Sequence, residues 1–539
     1  MKRSVLILAL AALSAGAGER TDCRVRTFVE PTRVVAESGL TNGLLSAGGW
    51  ILYDFDRERA GTVRIACGRG GAKVIRARVC FGESVAEALS ELGERGSCND
   101  HAIRDDVVAL PWFGAREVGE TGFRFVRLVN VGNAPFELSS VLAVETLRPM
   151  ERRGAFRSSD PRLNAIFDTA VRTVHLCCQD HLWDGIKRDR LVWVGDMHPE
   201  TKAILPVFGA ASVLPESLDY MAETTPPDRW MNGYHATYTL WWIRNLAEWY
   251  RYTGDLAFLQ AKADYLRKTF DHVRSAMKDG LWCGDNFLDW PTKHNDAAAT
   301  AGTQALALLA ARDMAFLAHA LKDGRLGAQA SALADELAKL RPDPHGSKSA
   351  AALLALSGLR DPKEIFADVL GANGHAGVST FYGYYMLEAM SAAGESQRAL
   401  DTVRDYWGAM LDMGATSFWE DFNVVWTNNA FRIDELPVAG KKDVHGDYGD
   451  FCYRGFRHSL CHGWSAGPVA WCYRHVLGIR PQGVGSRAFQ VQPFLGDLDW
   501  AEGEYALPQG GVLKVRVTKN ADGTLKTDVT APKGVSVLK

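Results

Sequence analysis

Two periodicities divide the chain. From about Cys23 to Leu147, apolar and charged residues alternate, as in the runs Lys73 to Val79 and Gly122 to Val129, and turn residues interrupt them at short intervals. Alternation with period two predicts half-buried antiparallel strands, and many short strands predict a β-sandwich. The charges between Glu117 and Arg127 then read as solvated outer strand positions rather than a binding face. At Ser158 the texture changes: Asp160 is a good N-cap, Pro161 suits a first helical turn, and apolar residues follow at Leu163, Ile166, Phe167, Ala170, Val171 and Val174. Helical patterns continue over roughly 197–222, 235–253, 255–278, 298–321, 325–341, 348–371, 380–393, 396–413 and 459–476. Connections as short as Thr253 to Asp255 and Ala393 to Glu395 force neighbouring helices antiparallel. With no solenoid period, a toroid of paired helices, the (α/α)6 barrel, is favoured over an open superhelix. After Pro481 alternation returns at Leu513 to Val517, and Ala521 to Thr524 makes a hairpin turn.

The expected fold class is multidomain α and β, with an N-terminal β-sandwich over 18–155, an (α/α)6 barrel over 156–480 and a small C-terminal β-domain over 481–539. Lys2 and Arg3, the apolar run Val5 to Leu13 and small residues from Ala15 to Ala17 read as an export signal over 1–17, so a periplasmic or secreted location is expected. A net charge of −3 gives no basic footprint for nucleic acid, and no later segment has the length of a membrane span. The ten cysteines are scattered and none has zinc spacing, so neither a metal nor a cofactor is expected. Calcium near the acidic loops is conceivable, but no calcium-loop pattern occurs.

The densest chemistry lies between Trp183 and Asp196. Asp184, Asp189 and Asp196 share this stretch with Lys187, Arg188, Arg190, Trp183 and Trp193, and glycines at 185 and 195 break any continuous helix. Crowded carboxylates and cations can push pKa values apart, as acid/base catalysis requires, and indoles offer faces for sugar C–H groups. A salt-bridged loop that merely buttresses a domain fits the same charges. Further aromatic or acidic loops occur at Trp230 to His235, Trp282 to Trp290, Trp419 to Phe422 and His458 to Trp464.

The run DGIKRDRLVWVGD resembles the signature loop of the α-L-rhamnosidases of glycoside hydrolase family 78, and GATSFWEDF, SLCHGWSAGP and FLDWPT are similar to further pocket loops of that family. The tail from Pro493 to Val517 looks like its C-terminal β-domain. The resemblance implies that the barrel is the catalytic domain, that Asp189 is the general acid where the family usually has Glu, and that Glu420 is the general base. It implies sugar contacts from Asp184, Asp196 and His462, with Trp193 and Trp419 lining the pocket and Asp289 and Trp290 as weaker carry-overs. Arg188, Trp230 and Tyr234 join the candidate binding residues from their loops. At least one of Arg188 and Arg190 is expected to pair with Asp184 or Asp196.

The resemblance implies an inverting glycosidase releasing terminal α-L-rhamnose or a closely related sugar from plant or bacterial glycans or glycosides. Its partner is a carbohydrate substrate, with no nucleic acid or membrane. Two alternatives stay open: another enzyme on the same toroid, including a polysaccharide lyase using Tyr234 and His235, and a catalytically degenerate carbohydrate-binding protein.

Overall fold

The computed structural model describes residues 22–70, 74–233 and 235–538. The expected export signal and Tyr234 therefore lie outside the described residues. The chain forms two packing units that do not follow the linear boundaries. One comprises the chain up to Pro149 together with His175–Leu191 and Met410–His462; the other comprises Met150–Val174, Val192–Ala409 and Gly463–Lys539. The middle of the chain thus returns twice to the N-terminal unit.

In the first unit, seven antiparallel strands form one sheet. Its path runs Val25–Val29, Phe136–Leu147, Leu44–Gly70, Gly114–Asn130, Val74–Gly82 and Asp105–Pro111, with Arg33–Thr41 also paired to the long strand. That long strand changes register between Asp54 and Arg59 and again at Gly61. At Gly61 φ is +146° and a Cβ would collide with the Val144 carbonyl, so only glycine lets the backbones approach there. Ile51, Phe55, Val63, Ile65, Val79, Phe123 and Leu128 from both arms enter one core, each such side chain contributing roughly 1.5–3 kcal/mol on burial. The expected β-sandwich takes the form of one bent sheet around its own core. Alternation is visible where expected, in the exposed-buried sequence of Val74–Gly82. One outer position was misjudged: Arg124 is buried, because its guanidinium meets both carboxylate oxygens of Asp54 at 2.9 and 3.1 Å.

In the second unit, helices follow one another as hairpins, including Pro161–Cys177, Met197–Phe208, Val213–Thr224, Ala236–Thr253, Ala263–Ser275, Asp296–Ala320, Gly324–Leu337, Lys348–Ser357 and Gly383–Ala392. The long Asp296–Ala320 helix is Ala-rich and buried along most of its length, which lets Ala236–Thr253, Gly324–Leu337 and Lys348–Ser357 pack closely against it. Several predicted helices are split. The 197–222 segment breaks at Gly209 (φ 80°), and the 348–371 segment breaks where Gly358 (φ 75°) ends one helix and Asp361 caps the next ahead of Pro362. Apolar spacing continues across both breaks, so periodicity alone did not reveal them.

Two small sheets close the chain. One joins Ile479–Gln482, Ala488–Val491 and Ser536–Leu538; the other joins Trp500–Ala506, Val512–Lys519, Leu525–Thr530 and the early strand Ala155–Ser158. No helix among the described residues is long and apolar enough to cross a membrane.

Candidate active site

The loop Asp184–Leu191 is closed by its first residue. Leu191 N–H donates to Asp184 Oδ1 at 3.0 Å, and Asp184 N–H donates to the Leu191 carbonyl at 3.0 Å. Lys187 anchors the middle. Its buried ammonium donates to the carbonyls of Phe456 (2.5 Å) and His458 (2.7 Å) and lies 2.8 Å from Glu87 and 3.3 Å from Glu83. Arg104 adds a second cation 2.9 Å from Glu87.

Glu83, Glu87 and His445 have the spacing of a metal-ligand set, but the charge it offers is already met by Lys187 and Arg104. Burial alone would raise Glu87; the two cations overcome it and hold it at about 2. Burial raises Glu83 to about 7 against the pull of Lys187. His445, drawn down to about 3 by burial and the Lys187 ammonium, is neutral, with Nδ1 2.8 Å from the Ser84 hydroxyl and Nε2 3.0 Å from the His458 carbonyl.

At the loop's tip, Asp189 and Arg190 both adopt left-handed backbone (φ 54° and 55°), at a cost of roughly 1–2 kcal/mol each. Arg190 holds this tip by donating to the carbonyls of Glu120 (2.9 Å) and His101 (2.6 Å). Arg188 lies just inside. One terminal nitrogen is 3.1 Å from Asp189 Oδ1, the other 2.6 Å from Glu420 Oε1, and the guanidinium lies over the Tyr453 ring. A single planar fork therefore separates the two carboxylates. The expected pairing of Arg188 or Arg190 with Asp184 or Asp196 is not what forms: Arg188 pairs with Asp189 and Glu420, and Arg190 donates to backbone carbonyls.

Glu420 is held by its backbone: its N–H donates to the Ser459 carbonyl (2.9 Å), and Ser459 N–H donates to Oε2 (3.2 Å). Burial raises its carboxyl above the ordinary value; Arg188 opposes this and Asp189 adds to it. His462 Nε2 lies 3.5 Å from Glu420 Oε1 and 3.6 Å from Asp184 Oδ2, and burial followed by the Arg188 charge keeps its imidazole neutral. On the other side, His101 Nδ1 is 3.4 Å from Asp189 Oδ1, with Asp100 3.6 Å from its Nε2 and Arg457 2.9 Å from Asp100. The structure thus brings Asp184, Arg188, Asp189, Glu420 and His462 into one contiguous cluster.

The remaining candidates have mixed surroundings. Trp419 is fully buried, edge-on to Phe422, and forms core rather than a pocket wall. In the second unit, Asp196 accepts from the Tyr238 hydroxyl (2.9 Å), and Trp193, His235, Phe287 and Trp290 form a series of neighbouring rings, His235 stacked on Phe287 at 4.2 Å. Trp230 instead packs on His272 (3.9 Å) and Trp282. Asp289 is buried and caps the turn at Trp290–Thr292. Its Oδ1 accepts from the Thr292 N–H and hydroxyl, and Oδ2 from Ser349 (2.5 Å) and Ser379 (3.4 Å). Sequence reasoning missed His101, Tyr238, Phe287 and the anchoring of Lys187. The one available signal was Lys187 itself, a cation inside an otherwise acidic, aromatic motif.

Paired helices followed by β-sheets have the architecture of a six-hairpin glycosidase domain with its C-terminal β-domain. Residues 151–340 match the bacterial alpha-L-rhamnosidase six-hairpin glycosidase domain, and residues 478–538 match the bacterial alpha-L-rhamnosidase C-terminal domain. In these two regions the chain is similar to bacterial α-L-rhamnosidases. Similar solved structures include a GH78 family rhamnosidase of Bacillus sp. GL1 (TM-score 0.75, 23% identity, 95% of this chain and 54% of that one). A rhamnosidase from Klebsiella oxytoca with rhamnose bound has TM-score 0.69 and 19% identity over 84% of this chain and 96% of that one. An alpha-L-rhamnosidase from Streptomyces avermitilis complexed with L-rhamnose has TM-score 0.71 and 17% identity over 95% of this chain and 50% of that one. The chain spans about half the length of the Bacillus and Streptomyces proteins. No curated protein matches it by sequence.

Proposed function

We propose that the chain is an inverting glycoside hydrolase that releases terminal α-L-rhamnose, or a closely related sugar, from glycans or glycosides. Asp189 and Glu420 on opposite sides of the Arg188 guanidinium carry this reading. Inversion requires a gap of roughly 6.5–9.5 Å between the two carboxyl groups, so that water attacks one face of a sugar while an acid serves the other. Asp189 protonates the departing glycosidic oxygen, and Glu420, its basicity increased by burial, takes a proton from the attacking water. Neutral His462 and Asp184 offer polar contacts for sugar hydroxyls or that water. The rhamnose bound in two solved relatives supports a carbohydrate substrate. A panel of aryl glycosides led by the α-L-rhamnoside tests the activity, and NMR of the first-formed anomer tests inversion; product of retained configuration refutes that part.

One observation favours reversed roles. Glu420 is the more deeply buried carboxyl, and that burial raises its pKa, which suits an acid. Asp189→Asn and Glu420→Gln separate the two assignments. Loss of the acid spares substrates with highly activated leaving groups, whereas loss of the base is rescued by azide. If Asp189→Asn is the azide-rescued variant, the roles are exchanged. If no glycoside is cleaved, the chain is a carbohydrate-binding protein with a degenerate site; turnover that survives both substitutions would refute the assignment of Asp189 and Glu420 as the catalytic pair. Export follows from the leader reading and is tested by fractionating cells that express the full chain.

A further inference from the structure

A second cavity, of about 210 Å³, lies within the second unit and shares no residue with the carboxylate cluster. It is smaller than the roughly 300–1,000 Å³ of drug-sized pockets, so it suits a small molecule. Lys202, Glu248, Arg251, Tyr384, Arg474 and Tyr505 supply its chemistry from four helical segments and one strand.

Hydrogen-bonding capacity there is unbalanced. Glu248 spends one oxygen on Lys202 (2.6 Å) and the other on Arg251 (3.5 Å), and Arg251 also binds Asp313 at 2.5 Å. Arg474, its side chain about half exposed, meets Glu388 through Nε at 2.9 Å. Two lining tyrosines are committed elsewhere: Tyr252 donates to the Ala506 carbonyl (2.7 Å) and Tyr473 to the Glu504 carbonyl (2.9 Å). Tyr384 and Tyr505 have hydroxyls with no hydrogen bond among the described residues, although both are more than nine-tenths buried. The surplus is thus rich in donors: two phenol hydroxyls, which can also accept, the remaining ammonium hydrogens of Lys202 and the terminal amino groups of Arg474. Besides burial, Arg474 and Arg251 bear on Lys202 as like charges and, against Glu248, help lower its pKa.

We propose that this cavity binds a small oxyanion, a carboxylate or phosphate on a molecule no larger than a monosaccharide, through Lys202, Arg474, Tyr384 and Tyr505. A carboxylate or phosphate offers acceptors to every unused donor, and charge-assisted bonds to Lys202 and Arg474 offset its desolvation. A neutral sugar leaves the cationic donors poorly matched.

The test is calorimetric titration of the full chain with glucuronate, inorganic phosphate and, as neutral control, glucose. Glucuronate or phosphate should bind at least about tenfold more tightly than glucose, and which anion binds identifies the source of the oxyanion. The double variant Tyr384→Phe/Tyr505→Phe removes hydroxyls that make no protein bond, so it should keep its melting temperature and weaken anion binding roughly tenfold or more. Lys202→Met should weaken binding further. Anion binding should survive in Asp184→Ala, which alters only the carboxylate cluster. No heat from either anion, equal binding of glucose and glucuronate, or unchanged binding in the double tyrosine variant would each overturn the proposal.

Discussion

The segments at 183–196 and 282–292 share a vocabulary of aspartates, tryptophans and glycines, yet they differ in what their carboxylates face. In the first, Asp189 meets Arg188 and His101, and Glu420 arrives from a remote segment to share the same guanidinium. In the second, Asp289 is surrounded by hydroxyls and a backbone N–H that turn it into a cap. A carboxylate beside a cation and a second carboxylate keeps the option of exchanging a proton. One saturated by neutral donors is structural mortar. Composition does not distinguish them; the neighbours supplied by distant sequence do.

The sharpest test of this contrast is kinetic. Asp189→Asn and Glu420→Gln should each lower kcat/KM on an α-L-rhamnoside by roughly 10²–10⁴, while Asp289→Asn changes it less than twofold. A comparable loss in Asp289→Asn would erase the distinction. Next in size, Lys187→Met strands Glu83 and Glu87 without their shared ammonium and should cost about 3–5 kcal/mol in urea unfolding. A stability within 1 kcal/mol of wild type, about the worth of one ordinary hydrogen bond, would show that Arg104 suffices.

Asp289→Ala removes the cap and leaves buried donors unmet, with an expected loss of about 1–3 kcal/mol. Burial raises the Asp289 carboxyl above its ordinary 3.8, so its contribution is full below that value and fades as pH rises through the folded pKa; Asp289→Asn should flatten this slope. Smallest is a displacement of the pH profile. Because Glu420 is raised above 4.5, the acid limb of kcat/KM should fall at a higher pH than an exposed glutamate would give, if Glu420 is the base. A limb at or below 4.5 would contradict that assignment.

Much of this was legible in the chain itself. Helical spacing from Leu163 onward and alternation around Val74–Gly82 announced the layers, because each reflects a face buried along its own length. The Asp184–Asp196 motif was legible because it is contiguous. What bound it was not: Glu83, Glu87, His101 and Arg104 sit about eighty to a hundred residues upstream in strand-rich sequence with no motif of their own. Tryptophans misled for a related reason. Trp419 has the composition of a sugar platform but is sealed in core, since an indole satisfies either environment equally well until its neighbours are known.

The left-handed backbone at Asp189 and Arg190 determines which substitutions there can be interpreted. Asparagine accepts that conformation about as readily as aspartate, so replacing the carboxyl by an amide changes chemistry alone. A longer glutamate at 189 is poorly suited to positive φ, and would confound reach with strain. The Asp189 side chain and the turn that carries it are therefore best exchanged together or not at all.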